Sequence, residues 1–294
     1  MTVSLQANSA GLMEDGYCVL PGILDPSMLR RLRERCRHLL GGVSEHHRSF
    51  QRAPGSLIHV ADDPFFAELI AWPETHAALA GLGLEGARFS SGYVISKPPH
   101  SPPLFWHQDW WGWDHPLSYT DTILQVFVFH YLTDTEVENG CLRVVPGSHR
   151  KRHTIHDILP KAHAEDLSRA TNLEDPAFGS VEDEVAVPVR AGDIVIGDAR
   201  LLNGAYANRS DQERTCVTLW FHPRFGEQPE EIQARVASIT DRKDVDTDPV
   251  EGQAAFSEIW PPAALKTIEP YLATYSGLAA PIGWNRAASP DRLG

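Results

Sequence analysis

Hydrophobic positions along this chain change their period near residue 87. Before that point they recur at helical spacing, and after it they alternate as strands do. Residues 16–21, Gly-Tyr-Cys-Val-Leu-Pro, read as a short strand. Asp25-Pro26 then places an N-cap and a first-turn proline ahead of Leu29, Leu32, Cys36 and Leu39. These fall at helical spacing among arginines until Gly41-Gly42 ends the run. The pattern predicts an amphipathic helix with its apolar face on a core. Residues 44–55 are polar and basic and read as a loop. Residues 63–81 read as two short helices broken at Pro73.

Beyond Ala87 the strands begin. Residues 89–96 form one, and Lys97-Pro98-Pro99 with further prolines makes a rigid loop leading to residues 106–114. Within 123–132, Leu124, Val126, Val128, His130 and Leu132 face one way, and Gln125, Phe127, Phe129 and Tyr131 the other. Two largely apolar faces mark a buried strand. Glu138-Asn139-Gly140 is a turn, followed by a strand over 141–145 and a charged, helical or irregular insertion over 150–184. Short strands are predicted over 185–189, 193–197 and 215–222, and a helix over 229–238. The Pro- and Ala-rich tail offers Ile259, Trp260, Leu265, Ile268 and Tyr271 for packing back. Short strands separated by Gly and Pro turns predict a mainly β protein with flanking helices, built as a jelly roll or barrel. No repeat or linker divides the chain. The expectation is one domain over 1–294: a helical part (14–85), a β core (86–225) carrying the insertion, and a helical cover (226–294).

Composition narrows the partners. With 42% hydrophobic residues in 294, a sizeable core can form. The net charge of −13 argues against a nucleic-acid backbone or an anionic membrane as main partner, and serves solubility. Cys18, Cys36, Cys141 and Cys216 show no CxxC spacing, so they read as reduced core residues of a cytoplasmic protein. Residues 1–13 hold neither a basic region nor a long apolar run, so neither a signal peptide nor a membrane span is expected there.

The candidate chemistry lies in Trp106-His107-Gln108-Asp109-Trp110-Trp111-Gly112-Trp113-Asp114. On an extended strand or its rim, residues two apart point the same way, so His107 and Asp109 can reach one metal ion. An imidazole and a carboxylate are two thirds of the 2-His-1-carboxylate facial triad that holds non-haem iron(II). The other histidines read more blandly. His46 and His47 are exposed neighbours, and His130 is a core histidine. His222 is a half-buried strand residue, and His149 follows a turn and caps the insertion. His153, His156 and His163 are solvated within it, and His115 is a loop residue.

In order along the chain come Asp15-Gly16-Tyr17-Cys18-Val19-Leu20-Pro21-Gly22, Lys97-Pro98-Pro99, Trp106-His107-Gln108-Asp109-Trp110, and Asn139-Gly140-Cys141-Leu142. Val145-Pro146-Gly147-Ser148-His149, Ala191-Gly192-Asp193 and Asn208-Arg209-Ser210 through Arg214 follow. Together these pieces, over roughly 14–222, resemble the phytanoyl-CoA dioxygenase family of Fe(II)- and 2-oxoglutarate-dependent oxygenases. The resemblance implies a double-stranded β-helix of the cupin-like jelly-roll kind. Its implied cofactors are Fe(II), 2-oxoglutarate and O2, and its implied reaction is oxidation, foremost hydroxylation, of a small molecule such as a natural-product intermediate. His107 and Asp109 would be ligands, and Arg214 would anchor the distal carboxylate of 2-oxoglutarate. Lys97 and Gln125 would hydrogen-bond the cosubstrate, and Trp111 and Trp113 would wall the substrate pocket. The family's arginine follows its second histidine ligand by eleven residues, and counting back from Arg214 reaches Asn203, not histidine. An amide is a poorer iron donor than imidazole. Two alternatives therefore stand: a family member with altered or lost catalysis acting as a binding protein, and a cupin-type metal-dependent isomerase or lyase.

Overall fold

A computed structural model describes residues 5–159, 164–241 and 256–294. His163 and parts of the expected insertion and tail lie outside them. Backbone pairing joins the strands into two antiparallel sheets. The larger runs β1 (Tyr17–Leu20), β8 (Ile194–Asp198), β5 (Val126–Tyr131), β10 (Arg214–His222), β3 (Arg88–Lys97), β2 (Ile58–His59). The smaller runs β4 (Leu104–His107), β9 (Asn203–Ala205), β6 (Leu142–Val144), β7 (Val185–Val187). From β3 to β10 the chain visits the sheets in the order large, small, large, small, small, large, small, large. This is the winding of a double-stranded β-helix, or jelly roll.

The two faces of the larger sheet do different work. Val126 and Val128 of β5, with Val217, Leu219 and Phe221 of β10, pack outward against helices. Phe127, Phe129, Tyr131 and Cys216 point inward, toward Leu142 and Val144 of the smaller sheet. The opposite-face pattern read from residues 124–132 is thus the observed one, although the strand itself begins only at Val126. Directly opposed residues of paired strands share a face. The pairs Thr218↔Tyr93, Thr218↔Phe129, Trp220↔Phe127 and Arg214↔Lys97 therefore place Tyr93, Lys97, Arg214, Thr218 and Trp220 inside.

Helices cover the outside. They are α1 (Leu5–Glu14), α2 (Pro26–Gly41), α3 (Glu45–Phe50), α4 (Phe66–Ile70), α5 (Pro73–Gly81), α6 (Glu165–Ser168), α7 (Glu230–Thr240), α8 (Phe256–Ile259) and α9 (Pro262–Ile268). Asp25 caps α2, its Oδ1 accepting from Met28 N at 2.7 Å. The buried stripe of α2 is Met28, Leu32, Cys36 and Leu40, so the expected Leu29 and Leu39 flank the contact and do not centre it. The expected loop at 44–55 contains α3, because Ser44 Oγ accepts from His47 N at 3.1 Å and supplies an N-cap. In the tail Trp260 and Ile268 are buried, whereas Ile259 is 43% exposed and does not pack back. All four cysteines are free and buried. Among the described residues no helix is long and apolar enough to cross a membrane.

Candidate active site

Register brings the first two candidate residues together. His107 ends β4 and lies opposite Asn203, the first residue of β9, whose other neighbour is Val144 of β6. Asp109 follows just beyond the strand. Its loop is pinned to the β8–β9 connection, as Trp110 N donates to Ala199 O at 2.8 Å and Gln108 Nε2 donates to Arg200 O. Arg200 is itself fixed by Asp198, with Nη2 2.6 Å from Oδ2, and by the carbonyls of Ser118 and Thr120 at 3.0 and 2.7 Å.

His107 Nε2 stands 3.7 Å from Asp109 Oδ1, and both side chains are under a tenth exposed. His107 Nδ1 lies 3.1 Å from the Phe105 carbonyl. Donation there leaves the lone pair on Nε2, the atom facing Asp109. Burial pushes the imidazole below its ordinary pKa. The Asp109 charge and the carbonyls of Phe105 and Asn203 oppose that push, and Arg286 adds to it. A neutral nitrogen donor and a carboxylate are the species a divalent ion takes. Two bonds of about 2.1 Å can span up to about 4.2 Å, so a 3.7 Å separation suits one shared ion. The third candidate is less well set. Asn203 Nδ2 lies 3.4 Å from Asp109 Oδ2 and 3.3 Å from Leu201 O, so the amide donates to the carboxylate. Turning the amide would aim its oxygen at the seat and forfeit that hydrogen bond. Among the described residues no three His, Cys, Asp or Glu gather to hold a metal, so no other such side chain completes the set.

Arg214 sits at the opposite end of β9 from His107. Its Nη2 donates to Gly140 O at 2.8 Å and its Nη1 lies 3.4 Å from Cys216 Sγ, while Nε has no partner among the described residues. Tyr206, just past β9, bonds to Cys141 at this end. Tyr206 lies three residue steps beyond Asn203, which at about 3.3 Å each spans roughly 10 Å, a length that would accommodate a five-carbon diacid. Gln125 Oε1 and Thr218 Oγ1 are also buried without partners among the described residues, both on inward-facing positions. Buried polar atoms left bare by protein call for a partner, and a polar guest between the sheets would supply one. Lys97 Nζ instead donates to Ala53 O and Pro102 O, at 2.8 and 2.5 Å. Burial, with Arg214 and Arg143 nearby, pushes its pKa well below the lysine range.

Trp111 and Trp113 are buried with Ile232 and Val236 of α7. Trp111 stacks between Trp110 (4.7 Å) and Trp284 (5.5 Å). Three other histidines are occupied elsewhere. His130 meets Thr75 Oγ1 at 3.0 Å, and His222, fully buried and not half-buried as expected, meets Leu124 O and Ser90 Oγ. His156 is also buried and not solvated, because its Nδ1 accepts from His153 N and caps a turn. The sequence reading missed Tyr93, Thr218, Trp220 and Arg286. The first three follow from strand register, whereas the last belongs to no motif.

Comparison with known proteins gives a consistent family. The family model described as phytanoyl-CoA dioxygenase (PhyH) matches residues 12–216. Phytanoyl-CoA dioxygenase domain-containing protein 1 of Mus musculus is 28% identical over 169 residues, covering 56% of this chain and 55% of that protein. The probable alpha-ketoglutarate-dependent hypophosphite dioxygenase of Stutzerimonas stutzeri is 29% identical over 140 residues, covering 47% and 46%. The match thus spans about half the length of these curated relatives. The crystal structure of the epimerase SnoN in complex with Fe3+, alpha ketoglutarate and nogalamycin RO shares the fold. Its TM-score is 0.57 at 22% identity, covering 85% of this chain and 94% of that one.

Proposed function

The chain belongs to the phytanoyl-CoA dioxygenase (PhyH) family, and from that premise we propose that it is a non-haem Fe(II)- and 2-oxoglutarate-dependent dioxygenase. The whole chain acts as one catalytic unit. It couples decarboxylation of 2-oxoglutarate to oxidation, foremost hydroxylation, of a small organic molecule. The observation that carries the reading is the buried His107–Asp109 pair, 3.7 Å apart, with its neutral nitrogen turned toward the carboxylate. The relatives' names support the class, and the nogalamycin compound bound by SnoN supports a natural-product-like substrate.

Each residue has a task in this reading. His107 and Asp109 hold Fe(II), and Asn203 occupies the third protein position. When bound, the iron supplies the one-electron and dioxygen chemistry that protein side chains lack. The chain's own work is placement. Arg214 presents a fork of donors to the distal carboxylate of 2-oxoglutarate, with its bare Nε ready for a second bond. Gln125 and Thr218 offer polar atoms along the cavity wall. Lys97 closes the far end by tying β3 to the carbonyls of Ala53 and Pro102. Phe127, Phe129 and Tyr131 keep water from the interior. Trp111 and Trp113 back the substrate wall through Trp284.

The Asn203 amide supports a second reading, a family member that binds small molecules with catalysis altered or lost. Its nitrogen, and not a lone pair, faces Asp109. Succinate formation from 2-oxoglutarate under air, with and without added Fe(II), separates the two. Iron-dependent succinate that vanishes in His107→Ala supports the oxygenase. Stoichiometric metal without succinate overturns it in favour of a cupin-type isomerase or lyase, and no metal uptake favours the binding protein.

A further inference from the structure

One cation in the site is used by neither the fold nor the reading above. Arg286 comes from the tail, 177 residues after Asp109 (286 − 109), yet its charge acts on Asp109, Tyr93 and His107. The tail is pinned there by backbone. Asn285 N donates to Trp111 O at 2.7 Å, Trp113 N to Asn285 O at 3.3 Å, and Asn285 Nδ2 to Asp114 Oδ1 at 2.7 Å. Residues 112 and 285 form a parallel bridge. Further back, Ile282 is bonded at N and O to Glu231 and Arg235 of α7. Trp284 stacks on Trp111, and the Arg286 guanidinium lies 5.0 Å from the Trp284 ring centroid. Trp111, beside the metal pair in sequence, thus positions Arg286 through one intervening ring.

A guanidinium held this firmly usually has an acceptor. Among the described residues Arg286 has no hydrogen-bond or ion-pair partner, and its buried Nε is bare. Leaving a buried donor unmade is unfavourable, so the arrangement favours an incoming acceptor. The acceptor is set by chemistry and by place. A planar fork of donors matches a carboxylate. Arg214 is buried against Gly140, whereas Arg286 is half-buried, as are Tyr93 and Trp220. A substrate arriving from solvent would meet these partly exposed groups before Arg214.

We propose that Arg286 receives the carboxylate of an acidic small-molecule substrate, beside the His107–Asp109 pair and apart from the 2-oxoglutarate anchor at Arg214. The inference rests on the oxygenase reading for the word substrate, but its test needs neither iron nor turnover. The probes are acetate, benzoate and cyclohexanecarboxylate, each against its amide, with binding to the full chain followed by ligand-observed NMR. At least one acid should bind the wild type about tenfold more tightly than its amide. Arg286→Gln and Arg286→Met should abolish that preference, whereas Arg214→Gln should retain it while losing 2-oxoglutarate. Near-UV circular dichroism of the tryptophan cluster reports whether each variant keeps its fold, and two variants guard against one misfolding. The proposal is overturned if no acid outbinds its amide or if folded Arg286 variants keep the preference. It is also overturned if Arg214→Gln alone removes it, which would assign the carboxylate to the cosubstrate pocket. Should iron-dependent succinate release fail while the Arg286 preference stands, the oxygenase reading fails and the carboxylate site does not.

Discussion

At the scale of single residues, the account turns on Asn203. Its amide sits beside Asp109 where an imidazole would give iron a stronger donor. Outer-shell changes alone shift metal affinity by roughly 10–100-fold. Asn203→His is therefore expected to tighten Fe(II) binding by at least about tenfold, read by anaerobic titration, and to raise succinate release. Unchanged affinity would mean that residue 203 is not at the metal. Arg214→Gln should weaken 2-oxoglutarate binding by about 2 kcal/mol, or roughly thirtyfold, by calorimetry, while leaving Fe(II) affinity intact. A hydrogen bond to a charged group is lost there and no metal donor is touched. His107, Asp109 and Arg214 were legible as candidates because local spacing and a family pattern carry them. Arg286 was not, because nothing in Trp284-Asn285-Arg286 announces where the tail will run. Only the pairing of residue 285 with 111–114 brings it to the site. For the tryptophans, an aromatic run beside a metal motif suggested substrate contact, and in the fold Trp111 and Trp113 pack in a cluster with α7 and Trp284.

At the scale of elements, caps and alternation were readable, whereas very short strands were not. Asp25-Pro26 announced α2, and Asp25→Ala is expected to cost about 1 kcal/mol, visible as a lower urea midpoint at unchanged slope. The polar run after Ser44 hid α3, because six residues of helix leave no apolar period to read. Strands β4 and β9, of four and three residues, were likewise missed. They hold His107 and Asn203 opposite each other, and their identity comes from pairing and not from local pattern. Gly197 in β8 shows what close packing demands of one position. A Cβ there would lie 2.1 Å from the Phe127 ring, which itself stacks on Phe129 at 4.6 Å. Gly197→Ala should cost about 1–3 kcal/mol by chemical denaturation, and a neutral result would show that the inner aromatic layer can shift.

For the whole molecule, the jelly roll was predictable from many short strands, and its winding order explains why residues distant in sequence meet inside. Two buried histidines of the larger sheet carry a pH signature. Burial pushes His130 down to about 4 and His222 to about 3, from an ordinary 6.5. Below 6.5 the unfolded chain binds protons that the folded chain refuses. The stability held above pH 6.5 is thus lost as pH falls toward 4, by about 3 kcal/mol for His130 alone. Urea midpoints should be flat from pH 8 to 7 and fall between pH 6.5 and 4, and a His130→Gln variant should fall less steeply. The central claim remains that His107 and Asp109 hold one ferrous ion facing a 2-oxoglutarate anchored by Arg214. Anaerobic calorimetric titration of Fe(II) in the presence of 2-oxoglutarate tests it most directly. The account predicts one ion per chain in the wild type and none in the paired variant His107→Ala with Asp109→Ala. Equal uptake by both proteins would contradict it.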